Sequence, residues 1–186
     1  SDTIDYEVYI SIDQKGYPFE TADQVFCAPA VFDLDQDGDN EIIFGDNSGM
    51  FYMLNQNMTP YSVYDIGDEI WGAPAIDDLD GDGDYEVAIN SKNGIFYIFD
   101  HLGDLVYQYD TENFLMAAPA IDSNKHIWVP SFDNSGEIFR FKNTGDEFEV
   151  VSTYSYNQKI QKGLAIHDLD NNGIDDIVFG TDSDEI

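Results

Sequence analysis

Ala73-Pro74-Ala75-Ile76-Asp77-Asp78 decides the reading of this chain, because the same segment returns at a fixed interval. Its counterparts are Ala28-Pro29-Ala30-Val31-Phe32-Asp33, Ala118-Pro119-Ala120-Ile121-Asp122-Ser123 and Gly163-Leu164-Ala165-Ile166-His167-Asp168. Ala30, Ala75, Ala120 and Ala165 are 45 residues apart, and self-similarity at a period of 20 to 50 residues is the signature of a repeat architecture.

Within each period, short β-branched and aromatic runs alternate with clusters of Gly, Asn and Asp, which predicts four strands and no helix. In the second repeat the strands are expected at 75–77, 86–90, 94–100 and 105–110, with counterparts in the first at 41–44 and 50–55. Turns are expected at Asn47-Ser48-Gly49, Lys92-Asn93-Gly94 and Asn134-Ser135-Gly136, where Asn and Gly tolerate positive φ. The alternation in Ile138-Phe139-Arg140-Phe141-Lys142 predicts a strand with Phe139 and Phe141 inward and a wet opposite face.

Four-stranded antiparallel units at this period imply an all-β chain, a β-propeller of four-stranded blades. Residues 1–186 form a single propeller domain or a propeller segment, with full blades at 25–69, 70–114 and 115–159. Residues 160–186 supply strands 1 and 2 of a closing blade and 1–24 its strands 3 and 4, Tyr6 to Asp13 being the third. The chain closes a four-bladed ring or forms part of a larger seven- or eight-bladed one. In an open fragment, exposed blade edges favour self-association.

Between the first and second strands, three repeats carry nine-residue acidic loops. The first supplies Asp33, Asp35, Asp37, Asp39 and Glu41; the second Asp78, Asp80, Asp82, Asp84 and Glu86; the fourth Asp168, Asp170, Asn172, Ile174 and Asp176. Side chains at positions 1, 3, 5 and 9, with the backbone carbonyls of Asp39, Asp84 and Ile174 at position 7, give the hard oxygen set that Ca2+ takes, and Gly at position 6 permits the sharp turn. About three calcium sites are expected. An EF-hand would close with Glu at position 12, where this chain has Phe44, Ile89 and Phe179. The third repeat reads Asp122-Ser123-Asn124-Lys125-His126, shortened and carrying a lysine, and is expected to bind no calcium.

Lys and Arg number 7 against 38 Asp and Glu, for a net charge of -31. Such a chain repels phosphate backbones and anionic headgroups, so nucleic acid is not an expected partner. Apolar runs are too short for membrane insertion. The lone Cys27 excludes an intrachain disulfide and reads as a small buried residue. His101, His126 and His167 read as exposed turn residues, and Trp71-Gly72 as a core or interblade pair.

These residues resemble the FG-GAP repeats of integrin alpha-subunit propellers and the related VCBS-type repeats of bacterial surface proteins. Phe44-Gly45, Gly72-Ala73-Pro74, Ala118-Pro119 and Phe179-Gly180 echo the name motif in pieces, and the three acidic loops match the calcium motif residue by residue. The resemblance implies an extracellular or cell-surface module, secreted, for adhesion or for binding a ligand, glycan or protein, with calcium structural. The alternative is the propeller of a polysaccharide lyase or other secreted carbohydrate-active enzyme. No catalytic cluster stands out, and the expectation is that the chain is not an enzyme.

Overall fold

The computed structural model describes residues 16–145 and 147–183. Among them are fourteen strands and no helix. β1 (Ala30–Phe32), β2 (Glu41–Gly45), β3 (Met50–Leu54) and β4 (Pro60–Asp65) form one antiparallel sheet in sequence order. β5 (Ala75–Asp77), β6 (Glu86–Asn90), β7 (Ile95–Phe99) and β8 (Leu105–Asp110) form a second, and β9 (Ala120–Ile121), β10 (Ile127–Pro130), β11 (Glu137–Asn143) and β12 (Phe148–Ser155) a third. β13 (Ala165–His167) and β14 (Asp176–Val178) make a two-stranded fourth sheet. This is the propeller arrangement, one meander per repeat. The expected third and fourth strands of the closing blade, at Tyr6 to Asp13 and beyond, lie largely outside the described residues.

Successive side chains of a strand point to opposite faces, and here each face meets a different neighbour. Val87 and Ile89 of β6, with Tyr97 and Phe99 of β7, pack against Ile43, Phe51 and Met53 of the first sheet. Ala88, Phe96 and Ile98 point the other way, onto Ile127, Val129, Phe139 and Phe141 of the third. That double burial explains why β7 is the unbroken run Ile-Phe-Tyr-Ile-Phe rather than an alternation. Aromatic rings bridge both seams: Phe51 lies 4.9 Å from Phe99, and Phe96 lies 4.6 Å from Phe141, centroid to centroid.

The predicted wet face of β11 is wet only at Lys142. Phe139 and Phe141 point inward as expected, but Ile138 on the opposite face is buried with Trp128 against Leu164, Ile166, Ile177 and Phe179 of the fourth sheet. Arg140 lies over the Trp128 ring at 5.4 Å. A blade that lies between two others has the aliphatic stem of Arg140 covered as well.

The hairpin tips between strands 2 and 3 turn on glycine, with φ of 90° at Gly49, 100° at Gly94 and 56° at Gly136; their asparagines have no positive φ. In the first hairpin the carboxylate of Asp46, fully buried, accepts from the N–H groups of Ser48 and Met50 and the hydroxyls of Ser48 and Tyr52. Burial pushes its pKa up, but these donors outweigh burial and hold it below the ordinary carboxylate range. Cys27 is buried, its Sγ 3.2 Å from both the N–H and the carbonyl of Gly45.

Gly45 sets how closely the segment entering the second blade can approach. A Cβ there would fall 2.5 Å from three atoms of the fully buried Ile70 side chain. Gly45→Ala is therefore expected to destabilise by about 1–3 kcal/mol, the usual cost of overpacking. Thermal unfolding followed by circular dichroism reads this as a lower Tm with an unchanged β spectrum; an unchanged Tm would mean that the seam yields at no cost.

Candidate metal centres

Each acidic loop leaves the end of an innermost strand and returns as the second strand. Its backbone turns left-handed at positions 4 and 6: φ is 60° at Gln36, 85° at Gly81 and 59° at Asn171, then 95°, 98° and 88° at Gly38, Gly83 and Gly173. A Cβ at any of those three position-6 glycines would meet nothing, so conformation rather than crowding demands glycine. Position 2 anchors the loop. Leu34 and Leu79 are buried in the seams beside their blades, whereas Leu169, in the fourth sheet, is 61% exposed because no further described blade covers it.

The leucine N–H also orients the closing acid. Leu34 donates to Glu41 Oε2 at 2.8 Å, Leu79 to Glu86 Oε2 at 2.7 Å, and Leu169 to Asp176 Oδ2 at 3.0 Å. Positions 1, 3 and 9 thereby converge. In each of the sets Asp33, Asp35, Glu41; Asp78, Asp80, Glu86; and Asp168, Asp170, Asp176, one carboxylate oxygen per residue lies within 4.8 Å of the others.

Position 5 stands apart from these trios. Asp37, Asp82 and Asn172 each use a side-chain oxygen to accept the N–H of position 7, at 2.8 Å from Asp39, Asp84 and Ile174. Asp39, Asp84 and Ile174 are exposed. Of the expected ligand set, positions 1, 3 and 9 lie together, while the position-5 side chain is bonded to the backbone of position 7.

The electrostatics of the core are those of like charges held together. Burial pushes Glu86 up to about 7, against the N–H of Leu79, and the nearby charges of Asp80, Asp82 and Asp78 add to the rise. Glu41 is raised by burial and by Asp35, Asp37 and Asp33 in the same way, and Asp80 by burial and by Asp82 and Asp78. Asp33 Oδ1 is shut off from solvent with no donor among the described residues. All-oxygen donors, a three-carboxylate convergence and an orphaned buried oxygen fit a hard divalent cation. They do not fit a soft one.

The third repeat fills the same place with its own donors. Asp122 accepts from Trp128 Nε1 at 2.9 Å, from the N–H groups of Asn124 and His126 at 2.9 Å, and lies 2.9 Å from His126 Nδ1. Burial pushes Asp122 up, but the Trp128 and His126 bonds prevail and hold it low. Lys125 reaches back to Asp77 of the second blade, and the Ser123 N–H to Asp175 of the fourth. His126 is thus a half-buried partner of a carboxylate, not the exposed turn residue expected of it. His101, 3.8 Å from Asp84, and the exposed His167 flank metal loops. Of the two places expected for Trp71, core or interblade, it takes the second: half-buried, it lies edge-on to Phe26 of the first blade's entry at 5.6 Å with Lys92 over its ring at 4.7 Å. Its recurrence with Phe26 at the 45-residue period was the signal available for this placement.

Comparison with known proteins places this geometry among propellers. A family model described as the lambda-carrageenase beta-propeller domain matches residues 66–175. A chain of the crystal structure of BBS1N in complex with ARL6DN, soaked with lead, is similar at a TM-score of 0.62 and 14% identity, over 86% of this chain and 48% of that one. BamB from Moraxella catarrhalis gives 0.59 and 18%, over 81% and 43%. The WD40 beta propeller domain of Doa1 gives 0.57 and 16%, over 82% and 48%. At these identities the likeness is one of fold alone, and this chain spans about half the length of those chains. No curated protein matches.

The raised carboxyls give the metal-free protein a definite pH dependence. A group whose folded pKa lies above its unfolded value contributes stability at low pH that is lost as pH rises through the folded pKa. With Glu86 at about 7 against an ordinary 4.5, the chelated protein is expected to lose Tm as pH rises from about 4.5 to about 7. Glu86→Gln should flatten that slope; an equally steep one in the variant would remove Glu86 from the account.

Proposed function

The chain belongs to the family of lambda-carrageenase β-propeller domains, and from that premise we propose that it is a secreted, non-catalytic domain, rigidified by structural calcium, that holds polysaccharide for a carbohydrate-active protein. The match over residues 66–175 carries this reading, since it spans the second and third blades and reaches into the acidic loop of the fourth repeat. Adhesion through a glycan is the same physical act on another surface. The finer resemblance of the loops to FG-GAP and VCBS-type repeats supplies the choice of calcium.

A structural rather than catalytic role for the carboxylates is supported by their repetition. Glycoside hydrolysis uses one pair of carboxyl groups with separated pKa values around one bond. Here a buried glutamate with a raised pKa occurs in two consecutive blades, Glu41 and Glu86, bonded alike to the leucine N–H seven residues before it. What recurs at the same place in successive blades serves the blade. Calcium would be held by positions 1, 3 and 9 of each loop, and its charge would offset the burial, and with it the like-charge repulsion, that raise Glu41, Asp80 and Glu86.

Two measurements test this reading. If each of three sites is filled at about ten times its Kd, calcium contributes about 1.4 kcal/mol per site, which raises Tm by about 10 °C in a chain of this size. The gain should be present at pH 7.5 and shrink at pH 5, where protons compete for the same oxygens. Melting curves that coincide with calcium and with chelator at pH 7.5 would sink the metal assignment. Incubation with lambda-carrageenan should release no new reducing or unsaturated ends; their appearance would turn the reading toward an enzyme.

A further inference from the structure

One cavity, of about 500 Å³, is lined by corresponding residues of all four repeats. Phe26, Trp71, Met116 and Gln161 stand four residues before the anchor alanines, at the same 45-residue spacing. Equivalent positions of four blades can meet only where the blades converge, so the cavity is the axial funnel of the propeller. It opens at the start of the innermost strands. The acidic loops leave from their other end, so the body of each strand separates the two.

Its chemistry is unlike that of the rest of the molecule. In a chain of 186 residues with 38 Asp and Glu, none of the lining residues is acidic. Three of the chain's 7 cationic side chains gather here: Lys162 in the wall, Lys92 4.7 Å from the Trp71 ring centre, and Lys159 5.2 Å from that of Phe132. Lys92 is partly neutralised by Glu69 at 2.9 Å, whereas Lys162 pairs with no acid among the described residues. Phe26 is 58% exposed against the edge of Trp71, a solvent-facing aromatic surface that core packing does not explain. The Trp71 Nε1 donor is buried with no acceptor among the described residues.

We propose that this axial funnel binds a chain of anionic sugars, with pyranose rings laid on Phe26, Trp71 and Phe132 and a sulfate or carboxylate held by Lys162 and Lys159. The volume falls within the range of small-ligand sites, and the pattern of an apolar aromatic wall with few placed polar groups is the one that such sites use. Lysine ammonium groups suit an anion of either kind, since they act as rotatable point charges rather than as a planar fork. Long-range repulsion from the acidic body makes the funnel selective by position: elsewhere a polyanion meets carboxylates. The proposal rests on the polysaccharide reading above and names the surface and charge class for it.

Affinity electrophoresis at fixed millimolar calcium tests it, with lambda-carrageenan, polygalacturonate and neutral agarose as immobile phases. The wild-type chain should be retarded by the anionic polymers and not by agarose, and the stronger of the two identifies sulfate or carboxylate as the preferred group. Phe26→Ala and Lys162→Gln, both at exposed positions, should each weaken binding by about tenfold with an unchanged Tm. Retardation of both variants equal to the wild type would overturn the funnel as the site while leaving a polysaccharide-binding domain in place. Equal retardation by agarose would overturn the anionic class. A wild type that migrates freely in all three would overturn the polysaccharide reading along with the funnel.

Discussion

Each four-stranded sheet of this chain has two apolar faces and no layer of its own to cover them. An isolated four-stranded meander with Phe96 and Ile98 on one side and Tyr97 and Phe99 on the other would leave one of those faces in water whichever way it folded. Burying a large side chain of this kind is worth about 1.5–3 kcal/mol, so four such residues per strand cannot be left unpaired. The only arrangement that satisfies a row of like sheets is one in which each is the cover of the next. Side-by-side stacking, the small residues at the seams and the convergence of the innermost strands all follow from that constraint.

Convergence then sorts the loops into two populations. At one end of the innermost strands, carboxylates are brought together by a leucine that is held in the seam and passes its N–H to the closing acid. The position of the charges is thus set by hydrophobic packing. At the other end, the segments leading into each blade crowd around the axis, and small residues such as Gly72 are needed: a Cβ there would fall 2.9 Å from the carbonyl of Ala117 in the next blade's entry. The aromatic residues just before these small ones are left facing the funnel.

The repeat, the strand positions and the acidic trios were legible in the sequence because each is a local pattern repeated in register. β5 through β8 fall where the runs of β-branched and aromatic residues put them, to within a residue at β7. What was not legible depended on side chains brought in from other strands. The alternation around Arg140 looked like a surface strand, since nothing nearby announces that Trp128 and the fourth sheet lie over it. Asp122 and His126 looked like a decayed loop, whereas the deciding partner is an indole one strand away. Trp71 could be core or interblade by its residue type alone, and it is Phe26 and Met116 at the same phase that put it on a common ring of positions between blades.

The third loop gives the molecule an unequal set of fasteners. Its carboxylate is satisfied by donors of the chain itself, and Lys125 and Ser123 tie it to the blades on both sides. By contrast, the tie between the first and second loops is a single bond from Gln36 to the carbonyl of Gly83, between segments whose like charges repel. Stripped of counter-ions, the acidic end of the propeller is held by one neutral bond between its first two loops and by tighter ties around its third, while the apolar seam below the first two blades stays closed. Loss of the cation would therefore loosen a rim and leave the body of the fold shut.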